Sequence, residues 1–343
     1  MIELIFTLDY EIYGNGTGAL KDLVFDPAER LREAFRQWDA QFVTFVEVAE
    51  FQKIEAFHTD PAIDLVKRQI QELHRDGFEI GLHLHPQWCN ARYVDGKWSL
   101  DYSEYNLCTL PPVRIAEIVD DSLDYLRCLV DEPQFNPFSF RAGNWLFQPT
   151  KMAASVLSQR GIKLDSSVFK GGLQHNHSLD YRSALGNGYY WRFTDDATKP
   201  DPDGPWVELP IYTEMVPLWQ MPTTKRLAFN NSVDMVGRNV GYKWNRIRDF
   251  LRFRYPLKFD FCRMTLDELI SIVERAIEQD QQTPALYKPL VAIGHTKDLT
   301  DPRTVEAFLS FLRKKEISVA TFEGIKSRLI SREAGTEASL HFA

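Results

Sequence analysis

The sequence predicts an α/β fold in which parallel strands alternate with crossover helices. Three observations carry this expectation. Short apolar runs rich in β-branched residues are each followed by a stretch whose apolar residues recur at helical spacing. Seven or so such units occupy the 343 residues, which suits a barrel better than a short open sheet, although periodicity does not by itself separate the two. Residues capable of chemistry gather at the carboxyl ends of the apolar runs, the rim at which parallel α/β folds bind ligands.

Residues 2–8 (IELIFTL) read as the first strand. Asp26-Pro27 then supplies a cap and first turn for a helix over 29–39. Residues 42–48 and 78–85 read as strands. Between them lies a helix over 61–74, with Ile63, Val66, Ile70 and Leu73 on one face. A long helix over 113–130, a short strand over 138–141, a helix over 150–159 and a strand over 162–165 follow. Thr265-Leu-Asp-Glu268 forms a capping box for a helix to about 279. Strands at 290–295 and 317–321 alternate with helices at 303–314 and 322–330, and the polar tail 331–343 is expected to fray. Residues 171–263, rich in Gly, Pro, Trp and Tyr, break the alternation and read as a large insertion or a set of strand-end loops in one catalytic domain over 1–330.

Composition narrows the function. A hydrophobic fraction of 44% with 26% charged residues is that of an ordinary globular protein. A net charge of -8 argues against a generic polyanion binder, and no nucleic-acid motif is present. Four cysteines without CxxC spacing suggest neither a disulfide scaffold nor a zinc finger. Met1–Phe6 lacks the features of a signal peptide, so a soluble cytoplasmic protein is expected.

The strand ends carry Asp9-Tyr10-Glu11, His83-Leu84-His85, Arg141, Asp165 and His295. In an extended chain residues two apart share a face, so Asp9 with Glu11, and His83 with His85, each present two groups to one side. A lone HxH also fits histidines packed in a strand. With an acid pair on another strand end, a site for Zn²⁺, or for Co²⁺, Ni²⁺ or Fe²⁺, becomes the favoured reading. Hydrolysis at such a centre needs a carboxylate to take a proton from water and a charged histidine to protonate the leaving nitrogen. His295 is the candidate acid, Asp165 the candidate partner that orients it and raises its pKa, and Arg141 the candidate clamp on the base. Arg141 and Asp165 alternatively form a structural ion pair.

In order along residues 1–330, TLDYE (7–11), EIGLHLHP (79–86), FRAGNW (140–145), LDSSV (164–168) and IGH (293–295) resemble the five motifs of the polysaccharide deacetylases, the NodB-homology or carbohydrate esterase family four proteins. The resemblance implies a distorted (β/α)7-type barrel and metal-dependent removal of an acetyl group from an N-acetylated sugar. It implies Asp9 as catalytic base, Glu11 and His83 as metal ligands, Arg141 holding Asp9, and Asp165 tuning His295 as general acid. Two departures stand out. The first motif's acids are usually adjacent, and here a residue separates them. The second motif's histidines are usually four apart, and here Gln87 stands at that position. Either His85 is the third ligand or the site binds metal differently, with Gln87, Cys89, His175 and His177 as lesser candidates.

Between Lys225 and Arg263 ten Lys/Arg face three acids, with eight aromatics interleaved. A solvated amphipathic insertion accounts for this. The functional alternative is a clamp for a phosphate-bearing glycan carrier or an anionic membrane surface. The expected substrate is an N-acetyl sugar, lipid-linked or nucleotide-linked, in cell-surface polysaccharide assembly. The competing readings are another metal-dependent hydrolase of non-peptide C–N bonds and a non-catalytic glycan-binding homologue.

Overall fold

Strands buried on both faces need near-continuous apolar runs, and β1 (Ile2–Tyr10) is buried at every residue after Ile2. It is followed by α1 (Asp26–Gln37), β2 (Val43–Glu47), α2 (Val48–Phe57), α3 (Ile63–Arg75), β3 (Glu79–Leu84), α4 (Pro112–Val130), β4 (Ser139–Ala142), α5 (Thr150–Gln159) and β5 (Leu164–Asp165). Then come β6 (Trp191–Phe193), β7 (Trp206–Glu208), α6 (Leu266–Gln282), β8 (Lys288–His295), α7 (Pro302–Lys314), β9 (Ser318–Val319) and α8 (Phe322–Ile330). This computed structural model describes residues 1–186, 190–217, 254–283 and 287–330. The tail 331–343 and residues 225–253 of the basic stretch lie outside the described residues.

The main sheet runs β6-β7-β5-β4-β3-β2-β1-β8, with β9 also on β1, and every pairing is parallel except β6 with β7. Beyond β7, Ile211 bridges both Phe169 and Val291, and the Tyr212 amide donates to the Val291 carbonyl at 3.0 Å. These contacts tie the continuation of β5 to β8, so the sheet curls on itself as the expected distorted α/β barrel.

Three elements depart from the sequence reading. The strands β6 and β7 fall inside the stretch read as an insertion, and β7 is part of the barrel wall. At three residues each they are too short to show a period of two. The helix α2 has no counterpart in the reading. It starts directly at the end of β2 with Glu47 as its N-cap, whose side chain accepts from the Glu50 amide, and it buries Val48, Ala49, Glu50, Phe51 and Ile54, so no single apolar stripe marks it. The capping box on α6 forms as expected: Glu268 accepts from the Thr265 amide at 2.9 Å and donates its own amide to Thr265 Oγ1 at 3.4 Å.

Side-chain alternation sorts the strands into two cores. Leu4, Phe6 and Leu8 of β1 pack in the outer core with Phe35 of α1 and Phe308 of α7. Ile5 joins Val43, Phe45, Leu164, Val207 and Val291 in the interior, which Phe322, Ile325 and Leu329 of α8 close at the amino-terminal end. Thr7 and Asp9 share the parity of Ile5, as Glu47 shares that of Phe45 and His295 that of Val291. The interior is thus apolar below and polar at its carboxyl-terminal rim. Among the described residues no helix is long and apolar enough to cross a membrane.

One acid breaks the apolar lower end. Glu79, at the start of β3, accepts from Ser139 Oγ at 3.0 Å and from the Glu323 amide at 2.8 Å. Burial outweighs these bonds and raises its pKa from 4.5 to about 7. A folded-state pKa above the unfolded one means that its protonated form stabilises the fold below pH 4.5, and that this contribution is lost as pH rises through 7. Glu79→Gln should therefore gain stability relative to wild type between pH 4.5 and 8, by on the order of 2 kcal/mol in urea unfolding. A stability difference that stays flat over that range would show Glu79 to be ionised in the folded protein.

Candidate active site

At the rim, parallel register sets the constellation before any side chain is placed. Asp9 lies beside His295, Glu47 beside His83, and His83 beside Arg141. The Arg141 side chain is fully buried and uses its whole fork. Nη1 donates to Asp9 Oδ1 at 2.6 Å, Nη2 to Thr7 Oγ1 at 2.9 Å and Ser166 Oγ at 3.1 Å, and Nε to the Ser166 carbonyl at 2.8 Å. Its guanidinium lies over the Phe45 ring, 4.3 Å from the centroid. Gly81 gives that ring its room, since a Cβ there would stand 2.7 Å from it. Burial pushes the Asp9 carboxyl up, but Arg141, with His83 and His295, outweighs it and holds Asp9 below the usual carboxylate range.

Glu11, just past β1, divides its oxygens. Oε1 accepts from Lys297 Nζ at 2.7 Å, while Oε2 faces His85 Nε2 at 3.0 Å and His83 Nε2 at 3.5 Å. Burial raises its pKa, yet Lys297 and the two histidines bring it well below the normal value. His83 donates through Nδ1 to the Arg141 carbonyl at 2.8 Å. Its neutral form therefore turns an Nε2 lone pair toward a carboxylate, and this buried Nε2 has no hydrogen-bond partner. A proton or a bound cation between them resolves that opposition; burial pulls the His83 pKa down, but Asp9 and Glu11 raise it above the usual imidazole value. His85 Nδ1 meets Gln87 Nε2 at 3.1 Å and Asn144 Nδ2 at 3.2 Å. Half a turn of the Gln87 and Asn144 amides together would set their oxygens against an Nδ1–H and free the His85 Nε2 lone pair for the centre.

Donor atoms of Glu11, Glu47, His83 and His85 lie within 4.8 Å of one another, all buried. This nitrogen and oxygen donor set, with the orphaned His83 Nε2 inside it, fits a divalent metal ion without selecting one. Gln87 backs His85 rather than facing the centre. Among the described residues Cys89, His175 and His177 do not join the donor group. His177 packs against Tyr105, with ring centroids 4.5 Å apart.

The other half of the site corrects an expectation. The carboxylate beside His295 is Asp298, not Asp165: Asp298 Oδ2 lies 3.3 Å from His295 Nδ1 and 2.6 Å from Arg263 Nη2. Asp165 instead accepts from Ser167 Oγ at 2.6 Å and hydrogen-bonds Glu208, its register partner on β7. Parity explains this. Leu164 fills the interior, so the next side chain turns to the other face of the sheet. His295 Nε2 lies 3.4 Å from Asp9 Oδ2. Burial lowers the His295 pKa to about 3, despite Asp9, and raises that of Asp298 to about 7, despite Arg263. At rest His295 is therefore neutral, where the sequence reading has it charged.

The turn after β4 joins the two halves. Asn144 and Trp145 both have left-handed backbones, φ 53° and 59°, a strain that fixes Asn144 on His85 and Trp145 beside His295, ring centroids 6.2 Å apart. Gly143 admits this close approach, because a Cβ would stand 2.5 Å from the Leu84 carbonyl and 2.7 Å from the His85 ring.

Glu47, Lys297 and Asp298 are absent from the sequence reading, and Lys258 enters it only as one of the ten cations between Lys225 and Arg263. Glu47 carries the same signal as the others, an acid at a strand's carboxyl end. Asp298 and Lys297 sit just past a strand that already ends in His295.

No protein-family model matches the sequence, and no curated protein matches it. Solved structures do match. One assigned as a polysaccharide deacetylase from Mycobacterium smegmatis is 14% identical, with 97% of this chain and 91% of that one covered at a TM-score of 0.55. One so assigned from Pseudomonas aeruginosa PAO1 is 14% identical, covering 97% and 92%, at 0.49. A PuuE allantoinase is 12% identical, covering 93% and 87%, at 0.47. The chain has the polysaccharide deacetylase fold.

If the donor group binds metal, protein loaded with Zn²⁺ or Co²⁺ and desalted should hold near-stoichiometric metal by elemental analysis. His83→Ala and His85→Ala should each lose it, and Gln87→Ala should keep it with reduced affinity. Full retention in His85→Ala would remove His85 from the ligand set.

Proposed function

We propose that the protein is a metal-dependent deacetylase acting on the N-acetyl group of a sugar. The observation that carries this is the juxtaposition, on one buried rim, of the Glu11/His83/His85 donor group with the Arg141-clamped Asp9 and with His295. A structural ion pair needs no adjacent metal donors, and a binding module needs no acid–base pair. A cavity of about 430 Å³ borders Ile12, next to Glu11, and is lined by Asn15, Thr17, Asp60, Tyr93 and Trp98, a mixture of polar groups and aromatic faces that suits a glycan.

Glu11, His83 and His85 would hold the ion, with Glu47 as a further donor in reach. A bound divalent ion polarises the acetyl carbonyl and acidifies water. Asp9, fixed by Arg141 in its ionised form, takes the proton of the attacking water as the new C–O bond forms. His295 Nε2 is placed to receive that proton from Asp9 and to give it to the departing nitrogen as the C–N bond breaks, leaving acetate and an amine. A neutral His295 at rest suits such a relay, and Asp298, with Arg263 behind it, stabilises the imidazolium that forms in passing. Lys297 keeps Glu11 ionised and fixes which of its oxygens faces the histidines. A cell-surface polysaccharide precursor, lipid-linked or nucleotide-linked, is the substrate class we favour.

Acetate release from N-acetyl sugars and oligosaccharides by metal-loaded protein tests the reading. Asp9→Asn and Asp298→Asn should each lower kcat within the range of about 10²–10⁴-fold that a misplaced proton-transfer group costs, with metal content unchanged. Asp165→Asn should cost far less. Equal losses for Asp165→Asn and Asp298→Asn would return Asp165 to the acid's support, and full activity in Asp9→Asn would remove Asp9 as the base.

A further inference from the structure

Among the described residues four cations lie about the Asp9–His295 centre, and three are matched by the protein. Arg141 is bound to Asp9, Thr7 and Ser166. Lys297 donates to Glu11 at 2.7 Å and to the Ile12 carbonyl at 2.9 Å. Arg263 pairs with Asp298 at 2.6 Å. The fourth is Lys258, at the end of a strand, Tyr255–Lys258, that pairs antiparallel with Thr213–Val216.

Half-buried, Lys258 places Nζ 3.1 Å from the centroid of the Trp145 ring and 4.7 Å from that of Phe169. Among the described residues it has no hydrogen-bond or ion-pair partner. Ring faces offset part of a cation's charge but take up little of the donor capacity of its three N–H groups. The acid nearest in sequence, Asp260, is engaged elsewhere. Its Oδ1 accepts from the Cys262 and Arg263 amides, and its Oδ2 lies 3.7 Å from Arg263 Nε. Burial, with Arg263 and Arg141, lowers the Lys258 pKa to about 7 against the pull of Asp260 and Asp9.

The position matters as much as the missing partner. Trp145 is held by the strained turn that also fixes Asn144 on His85, and its ring stands beside that of His295. An open indole face at a glycan site would stack on a neutral sugar, whereas this one is covered by the Lys258 amino group. Lys258 and His295, the group that would protonate the leaving nitrogen, thus both neighbour the ring of Trp145.

We propose that Lys258, seated on Trp145 and Phe169, is an anion-recognition site that selects an acylated amino sugar bearing a carboxylate or phosphate near the acylamino group. The proposal deepens the deacetylase reading and rests on it for the place of the acyl group, but not for the binding of the anion.

The test compares wild type with Lys258→Met, which keeps an apolar stem on the ring, and with Lys258→Arg, which keeps the charge. Binding of N-acetylglucosamine, N-acetylmuramic acid and N-acetylglucosamine 6-phosphate is measured by calorimetry at low salt, and acetate release from each is measured in parallel. Thermal unfolding checks that the variants fold. At least one anionic probe should bind wild type about tenfold more tightly than the neutral one. The ratio should fall to near unity in Lys258→Met and persist in Lys258→Arg. A preference for one anionic probe alone assigns carboxylate or phosphate. Equal binding of all three, no binding of any, or a preference that survives Lys258→Met overturns the proposal. Anion preference without acetate release from any probe would overturn the deacetylase reading and leave the anion site standing. Acetate release without charge preference would do the reverse.

Discussion

A guanidinium sealed inside the rim of the barrel is the constraint on which the rest of the site depends. Arg141 has no access to water, so every N–H it owns must find an acceptor within the protein. Asp9 and Thr7 on β1, Ser166 after β5, and the Phe45 face on β2 meet that demand. Because these partners come from three strands and Arg141 from a fourth, one side chain fixes the relative heights of the strand ends. Removing either member of such a pair strands a buried charge, at a typical cost of about 3–5 kcal/mol. The same bond that organises the rim therefore keeps Asp9 ionised and aimed at His295.

Around this pair, charge is placed with little slack. Lys297 and the two histidines hold Glu11, Arg263 holds Asp298, and Asp298 stands behind His295. Burial works against every charged form here, so each ionised group persists only through a partner, and His295, without a strong one, rests neutral. The turn Gly143-Asn144-Trp145 links the metal-donor half to the proton-transfer half by placing consecutive residues against His85 and His295. Its left-handed backbone at two non-glycine residues is strain that a merely structural turn does not need.

Much of the fold was legible because parallel strands and amphipathic helices leave strong local signals. The runs at 2–8, 78–85 and 290–295 and the helices at 150–159 and 322–330 follow from apolar spacing alone. The strands β6 and β7 were hidden because three residues cannot display a period, and α2 because its buried Glu50 and scattered apolar residues show no single stripe. The candidate site was legible where residues stand two apart on one strand, as in Asp9/Glu11 and His83/His85. It was misread at Asp165, which shares a strand end with the others but not their face.

By itself the sequence determined the α/β alternation, the strand ends that carry chemistry, and the pairing of acids with histidines, because these depend on covalent order and on periods of 2 and 3.6. The tertiary structure alone decided which of those groups meet. Parity turned Asp165 away from the interior, the register of β8 against β1 set His295 beside Asp9, the turn just past β8 folded Asp298 back onto His295, and a chain segment distant in sequence delivered Lys258 to Trp145. Such meetings depend on distances in space and on the cost of burying charge, and neither is written in the spacing of residues along the chain.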